Sequence, residues 1–360
     1  MTDKKQRDRI KLRHLKVKNF KILDELDIRF PSPRMANSPD IYLMGSKNGY
    51  GKTSVLESCA LLFLATFFDE KPFEIGNYPN IPINLPELLI RSGKDEAYIN
   101  GIFTIDDKEF DLSIELKMNG KVKINGNTAA FKNIGKWAQI NPVKSVQRFL
   151  NSLIGLNSEP LISPPYLYFH SYRKVQEGYP SLSMMIDGER MNLRHSIYRS
   201  DYEYPSSTFK LQVLRSMMGQ AKLFETEEDE HAGDILKKLN DLVKRFAGGT
   251  IEKLRPSKDN TVDFRIYPAG NKKESFTFDG LSSGQKEIIS TLFLIWYHTQ
   301  NIPAIVLIDE PELHLNAGWH RDFVKQVFDL APQNQYIIAT HSEEIFSSVD
   351  EDRRILLEKT

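Results

Sequence analysis

Three stretches of this 360-residue chain combine residue types that can handle phosphate and a divalent cation. The first is Gly45-Ser46-Lys47-Asn48-Gly49-Tyr50-Gly51-Lys52-Thr53-Ser54. Its glycines let the backbone turn N–H groups toward phosphate oxygens, and Asn48, Gly49, Gly51, Lys52, Thr53 and Ser54 form the expected nucleotide-binding set. Lys52 would reach the terminal phosphates, and the Thr53 hydroxyl would serve Mg2+. The second stretch is the apolar run Ala304-Ile305-Val306-Leu307-Ile308, which closes on Asp309-Glu310-Pro311. Two acids at the end of a buried strand are costly unless they serve a cation or a proton transfer. Asp309 is read as a Mg2+ group, in the second shell or through water, and Glu310 as the base that orients and deprotonates an attacking water. The third stretch, Gln335 to Ser342, carries His341 at a strand end, where it could meet the terminal phosphate or that water.

The flanking patterns predict the elements that position these groups. Ile41-Tyr42-Leu43-Met44 is a short apolar run and reads as a buried strand leading into the glycines. Thr53 to Phe68 reads as a helix apolar enough to lie deep in the core. A strand, a glycine-rich loop, Lys-Thr and a helix make up the context of a P-loop. Period-two alternation over residues 10 to 30 predicts a hairpin, and alternation from Ala97 to Lys123 predicts an antiparallel meander with turns at Asp106-Asp107 and Asn119-Gly120. Helices are expected over Pro142–Gly155, Phe209–Phe224 and Ala232–Phe246, with the acidic run Glu225–Glu230 as a solvated turn and Gly248-Gly249 as a stop. Strands follow around Val262–Ile266 and Phe276–Phe278; after Leu281 helix and strand alternate to Leu357.

Composition narrows the function classes. Lys plus Arg and Asp plus Glu each total 48, so the formal net charge is zero and a uniformly basic nucleic-acid binder is disfavoured. Hydrophobic residues at 40% and charged residues at 27% fit a globular chain rather than a disordered one. Cys59 stands alone, which excludes an internal disulfide framework and a Cys-rich zinc site. The apolar run Cys59–Phe68 is too short to span a bilayer, and the charged N-terminus lacks a signal-peptide core, so a cytoplasmic protein is expected.

One further stretch sets the family resemblance. Leu281-Ser282-Ser283-Gly284-Gln285 precedes Lys286 and an apolar helix over Glu287–Tyr297. Alone it reads as a helix cap. In the order glycine loop, Leu-Ser-Ser-Gly-Gln, Asp-Glu and Thr-His, the set resembles the ABC-type ATPases. Gly45–Ser54 matches their Walker A except at Ser46; Leu281–Gln285 matches the signature, with Ser283 for the commoner Gly. Ile305–Glu310 matches Walker B with its catalytic Glu, His341 the switch His, and Leu313–Asn316 the D-loop, with Asn316 for Asp.

That resemblance implies an α/β ATPase head with a mixed sheet, N-terminal antiparallel strands and a helical lobe. Residues 1–206 and 300–360 would form lobe I, and 207–299 the signature-bearing lobe. It implies ATP and Mg2+ as cofactors and a head-to-tail homodimer around two nucleotides. Ser282, Ser283, Gly284 and Gln285 would face the γ-phosphate held by the partner's Lys52. A metal-contacting Q-loop glutamine is implied as well; Gln176 is the first candidate and Gln147 the alternative. Leu15–Lys21 resembles the opening strand of the RecF and SMC group, with Lys21 where an Arg near the nucleotide is common, and no long coiled coil interrupts the chain. Glu310-Pro311-Glu312-Leu313-His314-Leu315 is similar to the Glu-Pro-Glu stretch of OLD-like ATPases. With about 19 residues after His341, the TOPRIM nuclease that such proteins commonly carry is not expected here.

The closest picture is a stand-alone OLD-like ATPase of bacterial anti-phage defence, similar to the Septu ATPase PtuA or the PARIS ATPase. It would hydrolyse ATP slowly, dimerise or form a higher oligomer, and control a separately encoded effector or nuclease without a membrane partner. The alternative is a RecF-like repair factor that binds DNA when ATP-bound. Its candidate basic residues are Lys237, Lys238, Lys244, Arg245, Lys253, Arg255 and Lys258, which also fit a solvated helix face.

Overall fold

A computed structural model describes residues 10–33, 38–45, 49–68, 73–75, 84–131, 134, 141–178, 180, 207–220, 232–256, 261–270 and 273–358. The chain divides into two compact units, residues 1–173 with 298–360, and residues 174–297.

The first unit holds two sheets with a helix between them. The alternating N-terminus forms β1 (Ile10–Phe20) and β2 (Leu23–Arg29), an antiparallel hairpin with Lys16 opposite Asp27 and Lys18 opposite Glu25. The meander forms β5 (Glu96–Ile105), β6 (Lys108–Lys117) and β7 (Lys121–Gly126), and β4 (Phe73–Glu74) closes a six-stranded sheet in the order β2-β1-β5-β6-β7-β4. Asp106 and Asp107 both adopt positive φ, at 46° and 64°, as the two-residue turn between β5 and β6 demands. A short helix α2 (Leu85–Leu89) interrupts the Pro- and Asn-rich stretch before β5.

The second sheet is the mixed one, in the order β15-β3-β14-β13-β9-β8. Strands β3 (Asp40–Gly45), β9 (Tyr166–Phe169), β13 (Ile305–Asp309), β14 (Gln335–Thr340) and β15 (Arg354–Leu356) run parallel, and β8 (Leu161–Ser163) is an antiparallel edge. Every residue of β3, β9, β13 and β14 is buried, which is why they read as continuous apolar runs.

Helix α1 (Lys52–Ala65) is buried at every position except Thr53. A helix apolar on all faces needs cover on all sides. Phe63 shows how this is met: its ring stacks on Tyr166 of β9 at 4.6 Å and meets Phe103 of β5 edge-on at 5.8 Å. Such pairs add about 0.5–1.5 kcal/mol beyond their area. Helix α3 (Pro142–Leu153), capped by Asn141, packs beside α1. The two sheets are also stitched by Gln335, whose buried amide accepts from Leu12 N–H at 2.7 Å and donates to Leu12 C=O at 2.9 Å. Leu12 sits where the β1–β5 register shifts, so the side chain serves backbone groups at a bulge. Helices α7 (Ala317–Leu330) and α8 (Glu343–Phe346) flank β14.

The second unit contains α4 (Thr208–Gln220), α5 (Ala232–Ala247), most of α6 (Ser283–Thr299) and an antiparallel sheet β10-β11-β12. Its strands are β10 (Gly249–Pro256), β11 (Val262–Pro268) and β12 (Phe276–Thr277). Asn240 of α5 repeats the bulge device: it accepts from Ile251 N–H at 2.7 Å and donates to Ile251 C=O at 3.1 Å, where the β10–β11 register shifts.

Four strands escape the sequence pattern, the short β4 and β8 among them. The core strand β9 is only four residues long, between Pro164-Pro165 and His170, and shows no period. Strand β10 begins at Gly249, the second of the two glycines that stop α5. The unit boundaries also differ from the expected lobes. Residues 174–178 and 180 join the signature-bearing unit instead of lobe I. The reason is local. Gly178 N–H donates to Asp279 at 2.9 Å, buried Lys210 donates to Gly178 C=O at 2.9 Å and pairs with Asp279, and Lys286 pairs with Glu177 at 2.8 Å.

Candidate nucleotide site

The order β3-β14-β13 sets three C-terminal strand ends side by side. The glycine loop follows β3, His341 follows β14, and Asp309-Glu310 ends β13. Three segments distant in sequence thus converge, and their side chains touch. The Thr53 hydroxyl donates to the Asp309 carboxylate at 3.0 and 3.3 Å. Lys52 Nζ lies 3.3 Å from His341 Nδ1, and His341 Nε2 lies 3.2 Å from Glu310 Oε1. With the ammonium donating to Nδ1, the ring proton is assigned to Nε2 and donates to Glu310.

Backbone geometry supports the loop reading. Gly49 and Gly51 have φ of 83° and 86°, a region that suits glycine. Gly51 leads straight into α1 without a side-chain cap, leaving the first N–H groups of that helix for a ligand. Ser54 is buried in the first turn. Ser46, Lys47 and Asn48 lie outside the described residues. Gly45 has a separate cause: a Cβ there would stand 2.7 Å from the Phe346 ring.

Burial and neighbouring charges perturb both key ionisable groups of the site. Asp309 is fully buried; desolvation pushes its carboxyl up to about 7, against the Thr53 hydrogen bond, while the acids Glu310 and Glu57 add to the rise and Arg173 opposes it. Burial pulls Lys52 down, and Glu310, Asp309 and Glu312 pull it back. A buried carboxylate beside a hydroxyl, a Lys and a helix N-terminus fits ATP with Mg2+. Thr53 and Asp309 would hold the ion and Lys52 the phosphates. Among the described residues no group of three His, Cys, Asp or Glu is placed to hold a metal.

Glu310 adopts φ 44° and ψ 61°, left-handed for a residue with a Cβ, at a cost of about 1–2 kcal/mol. Its N–H donates to Ala339 C=O at 2.9 Å, and Pro311 starts the next turn. Lys21, expected near the nucleotide, donates to the buried Glu57 of α1 at 2.6 Å. Gln147 is exposed on α3, and Gln176 belongs to the second unit. Within that unit Ser282 and Gln285 form a reciprocal cap on α6. Gln285 N–H donates to the Ser282 hydroxyl at 3.3 Å, and Ser282 N–H donates to Gln285 Oε1 at 3.0 Å. Ser282 and Ser283 are exposed, Gly284 and Gln285 half-buried. Asn316, the D-loop departure, caps α7 by accepting from Gly318 N–H at 2.9 Å.

Three residues at this strand end were not singled out from sequence. Arg173 is buried and donates to Asp309 C=O at 2.7 Å; Glu57 holds Lys21; Glu312 binds the His341 loop. Only Glu312 left a trace, as the second acid of Glu-Pro-Glu.

This fold and this convergence define a P-loop ATPase head. Residues 47–347 match the family described as "AAA domain, putative AbiEii toxin, Type IV TA system", and the chain belongs to that family. It is 22% identical over 390 residues to the retron Vc95 probable ATPase of Vibrio cholerae serotype O1 biovar El Tor, covering 96% of this chain and 73% of that protein. Among solved structures it is similar to an SmcHead bound to the C-winged helix domain of ScpA, at TM-score 0.54 and 14% identity over 94% of this chain and 92% of that one. It is also similar to an Smc head with an extended coiled coil bound to the C-terminal domain of ScpA derived from Pyrococcus furiosus, at TM-score 0.50 and 15% identity over 95% and 92%. No helix among the described residues is long and apolar enough to cross a membrane.

Proposed function

We propose that this protein is an ATP-operated switch: two copies close head-to-tail around ATP-Mg2+, hydrolyse it slowly, and in the closed state control a separately encoded effector. The observation that carries the reading is the contact of Lys52, His341 and Glu310 beside the Thr53–Asp309 pair at one strand end. Lys52 would bind phosphate, Thr53 and Asp309 would hold Mg2+, and Glu310 would take a proton from water while His341 steadies it. Mg2+, when bound, would neutralise phosphate charge. The signature Ser282–Gln285 opens α6 in the other unit, and one set of motifs per chain favours completion of each site by a second copy.

A role in bacterial defence, of the OLD-like kind, is supported by the Glu-Pro-Glu stretch, by a family described as a toxin of a toxin–antitoxin system, and by a relative named as a retron ATPase. The RecF-like alternative keeps one observation: Lys237, Lys244 and Arg245 are exposed on α5.

Light scattering on Glu310→Gln with and without ATP-Mg2+, then with short DNA duplexes, tests both. A nucleotide-dependent dimer indifferent to DNA is the expected result. DNA capture only with ATP would favour the alternative, and a monomer at saturating ATP would sink the head-to-tail mechanism.

A further inference from the structure

His341 lies just beyond the last paired residue of β14, so the sheet no longer holds its backbone. Its ring nevertheless bridges Lys52 and Glu310. The hold comes from Glu312. One oxygen of that carboxylate accepts from His341 N–H, and the other accepts from the Thr340 hydroxyl at 2.8 Å. Thr340 Oγ1 in turn accepts from Ser342 N–H at 3.0 Å, so Glu312 fastens Thr340 and His341 directly and Ser342 through the Thr340 hydroxyl.

Glu312 belongs to the turn Pro311–His314, which starts from the left-handed Glu310. One turn therefore aims Glu310 at the histidine ring and clamps the histidine backbone. A second stitch joins the same two loops: His320 of α7 sits 3.3 Å from Leu315 C=O and 3.2 Å from the Ser342 hydroxyl.

We propose that Glu312 is a positioning residue for His341, fixing the imidazole between Lys52 and Glu310 without itself touching nucleotide. The inference rests on the ATPase reading. It assigns the second acid of Glu-Pro-Glu a geometric task distinct from the proton transfer of the first. The carboxylate also adds negative charge near Lys52, so its removal is not expected to weaken phosphate binding. Displacement of a catalytic-site group by about 1 Å is sufficient for a rate loss on the order of 100-fold.

The test compares Glu312→Ala and Glu312→Gln with the wild type in nucleotide affinity, steady-state kcat and KM, and thermal unfolding. Glutamine can accept from His341 N–H and donate to Thr340, so it preserves the clamp without the charge. The expected result is a kcat loss on the order of 10–100-fold in Glu312→Ala with KM and ATP affinity near wild type, restored in Glu312→Gln. Wild-type turnover in Glu312→Ala, or a loss of affinity matching the loss of rate, would overturn the proposal. A wild type that does not hydrolyse ATP would sink the ATPase reading. The His341 imidazole NMR signals, assigned with His341→Gln, then decide the clamp: they must shift in Glu312→Ala and return in Glu312→Gln. Unmoved signals overturn it.

Discussion

Single residues at the strand ends carry opposed demands of stability and function. Lys52 is 5% exposed and surrounded by Glu310, Asp309 and Glu312. Lys52→Ala is expected to abolish measurable ATP binding in a titration, because no other described cation reaches His341 and Glu310 at this loop. Asp309 shows the conflict more sharply. Its carboxyl rises from 3.8 to about 7 on folding, so the folded chain binds a proton that the unfolded chain gives up. Its contribution to the stability of the nucleotide-free protein should therefore fall as pH rises from about 4 to 7, by roughly 1.4 kcal/mol per pH unit at most. Asp309→Asn should remove that fall and raise the unfolding temperature at pH 8, while weakening Mg2+-dependent nucleotide binding. The same pH dependence of unfolding temperature in wild type and Asp309→Asn would contradict the desolvation of Asp309. These residues stand out in the sequence because the side-chain types and spacing that suit phosphate and Mg2+ are few, and the structure brings them together. Arg173 was not legible, since a buried Arg whose guanidinium holds a main-chain carbonyl leaves no spacing rule behind.

At the scale of elements, local pattern and tertiary contact divide the work differently. The β1–β2 hairpin, the β5–β6–β7 meander and α1 follow from period-two alternation and an all-round apolar helix. The docking of those elements depends on side chains whose polarity looks wrong for their place. Gln335 is fully buried in β14 and serves both backbone groups of Leu12. Gln335→Leu keeps the bulk and leaves an N–H and a C=O buried without a partner, at about 1–3 kcal/mol each. Urea unfolding should show a loss of about 2–4 kcal/mol, and a loss under 1 kcal/mol would mean that the bulge finds other partners. The strand β9 makes the complementary point. Its four residues carry no readable period, yet it pairs with β13 from Tyr166 to Phe169 because β13 offers it a parallel edge.

Over the whole molecule, the balance of buried charge sets the response to acid. His298 is held neutral by burial, its imidazole pushed down to about 4 from 6.5. The unfolded chain takes up that proton more readily, so this group costs stability as pH falls from 6.5 toward 4. Its sign is opposite to that of Asp309, and the two slopes partly cancel in the wild type. His298→Gln should leave the Asp309 slope exposed, making the variant relatively more stable at pH 5 than at pH 7.5 in a pH series of thermal melts. A wild-type slope in this variant would show that His298 is not the acid-sensitive group.

The amino-acid sequence alone marked the residues whose types and spacing suit phosphate and Mg2+ chemistry. A glycine loop with Lys52-Thr53, an apolar run closing on Asp309-Glu310, and a strand end with His341 are each legible because their residue types answer to phosphate, Mg2+ and water. The tertiary structure decided the rest. It set β14 between β3 and β13, so that His341 falls between Lys52 and Glu310, and it gave Glu312 the His341 backbone to hold. It also drew residues 174–178 into the signature-bearing unit through Lys210, Asp279 and Lys286. Strand order and buried polar pairing join residues far apart in the chain, and no local period or spacing encodes a contact across that distance.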